Sequence, residues 1–384
     1  MSTSSAHVEP AVAQPAIDRP FTVLCVTLWS DRAEAATFAG LQRAGCEVVV
    51  YCAPGCTFIP QLTAAGVRVV QLAIRKRRDD EAIARLRAEL AEHDYDIVYL
   101  LHNRAVSNGL LALKGFPKPK VVLYRGIVGN VSPFNPMSWR RYLSPRVDRV
   151  VCVADAIRRY FVDMRFFGWR LPPEKFVTIY KGHDLAWYRD PPADLAAFGV
   201  PAGAFVVGCV ANMRPRKGIE VLVDAFGRLP VESQAHLLLV GNMQGRRLDA
   251  AIAANPNRAR IHRVGFQKNA PAIIAACTVS VLPTLRREGL PKTVIEAMAY
   301  GVPVIVTSAG GSAELVVDGE SGLVVAPGDA AALAAAMERL RTNPELRARL
   351  GTGGRNRIDE HFNTRTTVAR MLALYRELVD APRS

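Results

Sequence analysis

The texture of the apolar runs restricts this chain most. They are rich in Val and Leu, do not alternate with polar residues, and are spaced by helix-like segments. A strand with one wet face alternates, whereas a continuous apolar run has both faces covered. Such runs alternating with helices specify open parallel sheets clad by helices on either side. The first series has strands at 21–30, 46–52, 66–72, 96–101 and 120–124, with helices at 33–45 and 79–94 and further short runs at 149–153 and 176–180. The pattern pauses over Pro-rich residues 184–201, then resumes. Strands follow at 204–211, 235–241, 260–265, 279–283 and 302–307, with helices at 219–229, 247–254, 270–276 and 291–300 and helices to the end from 330 to 378.

The expected fold is α/β, two doubly wound Rossmann-like domains facing a cleft. The expected divisions are a disordered tail at 1–20, a first domain at 21–187, a linker at 188–201, a second domain at 202–365 and a terminal helix at 366–384 that can pack back on the first domain. In open parallel sheets ligands bind beyond the carboxyl ends of the strands, so the strand-to-helix loops are where chemistry is expected. With 384 residues, half of them apolar, fibrous and disordered classes are excluded. No apolar run approaches the ~20 residues that span a bilayer. The first 20 residues lack the charged start and apolar core of a signal peptide. The seven cysteines are odd in number and mostly sit in strand-like runs, as small core residues of a reducing compartment do. These features lead to an expected cytoplasmic location.

Net charge is +14, and residues 100–181 hold 15 Lys/Arg against 4 Asp/Glu. So local an excess points to an anionic partner: phosphorylated lipid, a membrane surface or nucleic acid. Within it, Trp139, Arg140 and Arg141, then Arg165 and Trp169, mix arginine with aromatic rings, which suits an interfacial membrane surface. The same spacing equally fits helices that pack their rings inward. No helix-borne basic stripe or recognisable nucleic-acid module accompanies the charge.

Two segments carry chemistry. Residues 286–307 read RREGLPKTVIEAMAYGVPVIVT. A strand ends, a loop carries Glu288, Gly289 and Leu290, and Pro291 stands at or near the first helical position, followed by Lys292. Amides at such a helix start attract anions. Glu296 follows on the helix, and a carboxylate there can accept two vicinal hydroxyls. Taken singly, each carboxylate also reads as an ordinary solvated side chain. Residues 211–218, ANMRPRKG, crowd Arg214, Arg216 and Lys217 onto a strand-to-helix turn. Three cations beside a helix start repel one another unless an anion such as a diphosphate joins them.

Taken with LLLVGN at 237–242 and GESGLVVAPGD at 319–329, these segments resemble the C-terminal domain of the retaining glycosyltransferases of family 4, which have the GT-B architecture. RVDRVVCVADAIRRYF at 146–161 and VTIYKGHDL at 177–185 extend the resemblance into the first half. It implies an acceptor-binding N-terminal domain and a C-terminal domain that holds a nucleotide-diphosphate sugar. It further implies that Glu288 contacts the donor sugar, Glu296 the ribose and Lys217 the diphosphate. Gly289, Leu290 and Pro291 match the loop that approaches sugar and phosphate, and Gly265-Phe266-Gln267 the place that meets the base. The family's usual arginine five residues before the lysine is Asn212 here, so Arg214 or Arg216 stands in for it. Its usual catalytic histidine falls at Arg125, so either Arg125 acts through its charge or His102 takes part.

The reaction implied is transfer to an envelope glycan, as in lipopolysaccharide biosynthesis, or to a lipid-linked saccharide. The chain would be cytoplasmic, with peripheral contact at the inner face of an anionic membrane. No cofactor or metal is implied, since Asp94-Tyr95-Asp96 sits where a helix gives way to a strand, an ordinary capping place. The alternatives are a soluble transferase acting on a small sugar or metabolite, an anion- or nucleic-acid-binding protein, and an inactive module of the same fold.

Overall fold

A computed structural model describes residues 20–132, 134–166 and 169–381. The tail expected at 1–20 lies, Pro20 apart, outside the described residues. The described residues divide into two compact bodies, one of residues 20–182 together with 362–381, the other of residues 183–361.

In the N-terminal body, seven parallel strands lie in the order β3-β2-β1-β4-β5-β6-β9. They are β1 (Thr22–Val26), β2 (Glu47–Cys52), β3 (Arg68–Gln71), β4 (Ile97–Leu100), β5 (Lys120–Arg125), β6 (Arg149–Cys152) and β9 (Phe176–Thr178). Two short strands, β7 (Arg165–Phe166) and β8 (Trp169–Arg170), pair antiparallel as a separate two-stranded sheet. The helices are α1 (Arg32–Arg43), α2 (Ile59–Ala64), α3 (Asp80–Glu92), α4 (Asn103–Ala112), α5 (Pro136–Arg141) and α6 (Asp155–Val162).

β1 stops four residues before the expected end at 30. The Thr27 hydroxyl donates to the Trp29 carbonyl at 2.7 Å and turns the chain, and Asp31 then caps α1. The last helix, α14 (Thr364–Asp380), packs on α1 in this same body. Two glycines permit it. A Cβ on Gly40 would lie 2.5 Å from Val368, and one on Gly182 2.4 Å from the Asn363 carbonyl. Tyr375 and Phe38 are completely enclosed.

The C-terminal body holds six parallel strands in the order β12-β11-β10-β13-β14-β15. They are β10 (Val206–Val210), β11 (His236–Val240), β12 (Ile261–Gly265), β13 (Val279–Leu282), β14 (Val304–Thr307) and β15 (Leu323–Val325). Around them lie α7 (Ile219–Gly227), α8 (Arg246–Ala253), α9 (Ala270–Ala275), α10 (Lys292–Ala299), α11 (Ser312–Leu315), α12 (Ala330–Thr342) and α13 (Pro344–His361).

Residues 183–201, divided in the sequence reading between the first domain and a linker, group with this body. Tyr188 stands edge-on to Tyr300 with ring centres 5.8 Å apart, the Ala193 N–H donates to the Ala272 carbonyl, and Val200 is buried. The sheet order reverses at β10, with β11 on one side and β13 on the other, so the loops leaving these strands diverge and open a crevice.

All seven cysteines are free and buried, and burial pushes the Cys46 thiol up to about 11 and Cys52 up to about 12. His236 and His262 stack across β11 and β12, with facing ring nitrogens 2.9 Å apart. One ring must donate and the other accept. Burial lowers both pKa values, and the neighbouring His262 and Arg260 lower that of His236 further. The unfolded chain therefore takes up protons first as pH falls, and stability present above the ordinary histidine range of ~6.5 is lost on acidification. The melting temperature is expected to drop between about pH 7 and pH 5, and His262→Gln to flatten that slope in a thermal melt series.

Candidate functional site

The site grows from the two loops at the strand-order reversal. After β10 the chain passes extended through Arg214 into a tight turn, Pro215–Lys217, and leaves through Gly218 at φ 67°. Gly218 has a second constraint, since a Cβ there would sit 2.2 Å from the Pro283 carbonyl at the end of β13. The basic turn is thus pressed against the neighbouring loop. The Leu285 N–H donates to the Arg216 carbonyl at 2.7 Å, and Arg216 Nη1 donates to the Arg287 carbonyl at 2.7 Å.

Glu288 is the focus of that loop and is 7% exposed. Its Oε2 accepts from Lys217 Nζ at 2.7 Å and from the Thr284 hydroxyl at 2.8 Å. Thr284 is enclosed and is itself held through its carbonyl by the Thr307 hydroxyl. Behind Glu288, Gly310 takes φ 60°, and a Cβ there would lie 2.2 Å from the Glu288 carbonyl oxygen. The acid is fixed from three directions: a cation, a hydroxyl and a close backbone.

Pro291 stands just before α10 instead of within it, and Lys292 opens the helix. No side chain caps this helix start and no acid lies in its first turn, so its amide dipoles face outward uncompensated. A cavity of about 320 Å³ lies at these strand ends. Arg214, Arg216 and Lys217 line one part of it, and Glu288, Leu290, Pro291 and Lys292 another, with Phe266 at the border. Phe266 is 73% exposed and also borders an open recess of about 780 Å³ running past Gly241, Arg246 and Arg263. Gly289 is buried, and neither it nor Glu296 lines the cavity. The Glu296 carboxylate lies one turn behind Lys292, which binds it at 3.1 Å. Burial raises its pKa, and Lys292 offsets part of the rise.

The other expected residues belong to the N-terminal body. Arg125 corrects the sequence reading. It is 4% exposed, and its guanidinium is already engaged by the Ile127 carbonyl at 3.0 Å, the Tyr142 hydroxyl at 3.1 Å and the Gly129 carbonyl. It tethers the loop after β5. His102 sits at the end of β4 at φ 62°, with Nδ1 3.1 Å from the Thr27 hydroxyl, and burial lowers its pKa, favouring the neutral ring.

A cluster the sequence reading missed lies beside it. Lys181 bridges Asp31 and Glu34, the latter at 2.9 Å, and stands over the Tyr124 ring at 5.6 Å. Burial works against its ammonium, but Tyr124, Glu34 and Asp31 outweigh it and raise the pKa. These residues come from three separate segments, the start of α1, the end of β5 and the stretch after β9, and only the sheet order brings them together. Trp139 and Arg140 are exposed, together with Ile127 and Phe134, while Arg141 donates to the Ser107 hydroxyl at 2.8 Å. Arg165 lies on β7 and Trp169 contributes its backbone to β8, its side chain being outside the described parts.

Two family models match the chain: "Glycosyltransferase Family 4" over residues 36–187 and "Glycosyl transferases group 1" over residues 192–357. The chain belongs to the family 4 glycosyltransferases. It is 32% identical over 181 residues to the capsular polysaccharide biosynthesis glycosyltransferase CapM of Staphylococcus aureus, over 44% of this chain and 46% of that protein. It is 28% identical over 257 residues to the lipopolysaccharide core biosynthesis mannosyltransferase LpcC of Rhizobium leguminosarum bv. viciae, over 64% of this chain and 69% of that one. The crystal structure of HepE from Anabaena, solved in complex with UDP and glucose, has the same fold, with a TM-score of 0.72 at 22% identity over 92% of this chain and 98% of that chain.

The tether formed by Arg125 predicts a stability defect for this glycosyltransferase variant. Arg125→Met strands buried carbonyls of the 127–129 loop and is expected to cost about 3 kcal/mol in urea unfolding.

Proposed function

We propose that this glycosyltransferase is a retaining enzyme that moves a hexosyl or related sugar from a nucleoside diphosphate to an envelope glycan or lipid-linked saccharide. One observation carries the donor half: four cations, an uncapped helix start and a fixed carboxylate share one cavity at the β10/β13 reversal. When the C1–O bond to diphosphate breaks, the sugar gains oxocarbenium character and negative charge grows on the leaving oxygen. Lys217, Arg214 and the α10 amides meet that charge without reorganising, and each well-placed donor supplies ~3 kcal/mol.

Glu288 binds the sugar through carboxylate capacity left beside Lys217. Phe266 borders the base, and Glu296 accepts the ribose hydroxyls once Lys292 swings from it to the phosphates. The leaving phosphate oxygen takes the acceptor's proton on the face it has just left, which preserves configuration. The chain's own cations do this work with no cofactor and no metal requirement.

The capsule and lipopolysaccharide relatives support an envelope acceptor. So do the exposed Ile127, Phe134 and Trp139 beside Arg140, a composition that suits peripheral contact with an anionic membrane. No helix among the described residues is long and apolar enough to cross one.

Of UDP, GDP and ADP, one is expected to raise the melting temperature clearly above the others. With the matching nucleotide sugar, Lys217→Ala should lower turnover by about a hundredfold while the acceptor KM stays within about threefold. Equal loss in both, or no stabilisation by any nucleotide, overturns the reading. Turnover should survive EDTA.

A further inference from the structure

The geometry points to Arg216 as a positioning residue for this reaction, one that sets the backbone entering Glu288 and does not bind the diphosphate. The inference rests on the donor reading of the cavity and goes beyond it, because it separates two arginines that the sequence presents as equivalent.

Arg287 takes φ 56°, in the left-handed region where a side chain of its size is disfavoured. Such a conformation persists only where its surroundings impose it. Here they do so through the basic turn. Arg216 Nη1 holds the Arg287 carbonyl at 2.7 Å, while the Arg216 carbonyl holds the Leu285 N–H at 2.7 Å. One residue therefore grips the loop on both sides of the strained position.

Because the peptide group is planar, fixing the Arg287 carbonyl also fixes the opposite edge of that plane, the Glu288 N–H. Glu288 thus starts from a set backbone, from which its carboxylate meets Lys217 and Thr284, and its own carbonyl is held by the Gly311 N–H at 3.2 Å. Lys217 is the next residue along the same turn, so cation and carboxylate are set by one clamp. Arg214 is exposed, lines the same cavity and, among the described residues, has no contact of this kind with the loop.

The contact is a charge-assisted hydrogen bond to a backbone carbonyl, and its loss is expected to change the loop equilibrium by about tenfold. In unliganded Arg216→Ala, amide hydrogen exchange across residues 286–290 should run about tenfold faster than in the wild-type protein, and in Arg214→Ala it should not. With the nucleotide sugar, Arg216→Ala should lower kcat about tenfold. Its dissociation constant for the stabilising member of UDP, GDP and ADP should stay within about threefold. Arg287→Asn, whose side chain tolerates the left-handed region, should restore about threefold of the lost kcat in the Arg216→Ala background.

Unchanged exchange in Arg216→Ala overturns the inference, as does nucleotide affinity falling in step with kcat, which would make Arg216 a phosphate ligand. Absence of rescue by Arg287→Asn overturns it too. If none of the three nucleotides stabilises the wild-type protein, the donor reading fails, and the exchange comparison still decides whether Arg216 sets the loop.

Discussion

A strand buried on both faces has little room for charged side chains until it ends, so the chemistry of a parallel sheet collects at one edge. In the C-terminal body that edge is organised by the contact between two loops, 211–218 after β10 and 283–291 after β13. They come together because β10 and β13 are neighbouring strands of the sheet. The Lys217–Glu288 ion pair is the product of that contact, and Gly218 against Pro283 is the steric condition for it. Both side chains are largely enclosed, 15% and 9% exposed, so the pair has lost much of the screening that makes surface ion pairs weak.

Charge in the two bodies is handled differently. In the cavity of the C-terminal body cations outnumber the lining acid, and the helix start adds to the same sign. At the strand ends of the N-terminal body, Asp31 caps α1 and, with Glu34, takes up Lys181, so the helix start is already satisfied by its own acids. One edge is left receptive to an anion; the other has closed its account with the dipole and presents hydroxyl, carboxylate and imidazole groups.

Much of this was legible in the sequence, for definite reasons. Uninterrupted Val and Leu runs declare parallel strands, and each main sheet is fully parallel. The Pro-Lys start of α10 and the cations of the basic turn are contiguous in sequence, so one stretch each sufficed to find them. What escaped depends on tertiary proximity. The Lys181 cluster draws on positions from 31 to 181. Arg125 looked available for chemistry because the sequence cannot show that the loop following it bends back to consume its guanidinium. The helix α4 went unread because Asn, Ser and Gly dilute its apolar face, and the boundary at 187 missed the packing of Tyr188 on Tyr300.

The path of the last helix bears on the order of assembly. Residues 183–361 form a complete body from one unbroken stretch, whereas the sheet that starts at β1 has part of its enclosure, Val368 and Tyr375 among it, supplied from beyond position 362. During synthesis, in which segments fold as they emerge, the portion made first is finished last. Until then α1 shows solvent the stripe that α14 will cover.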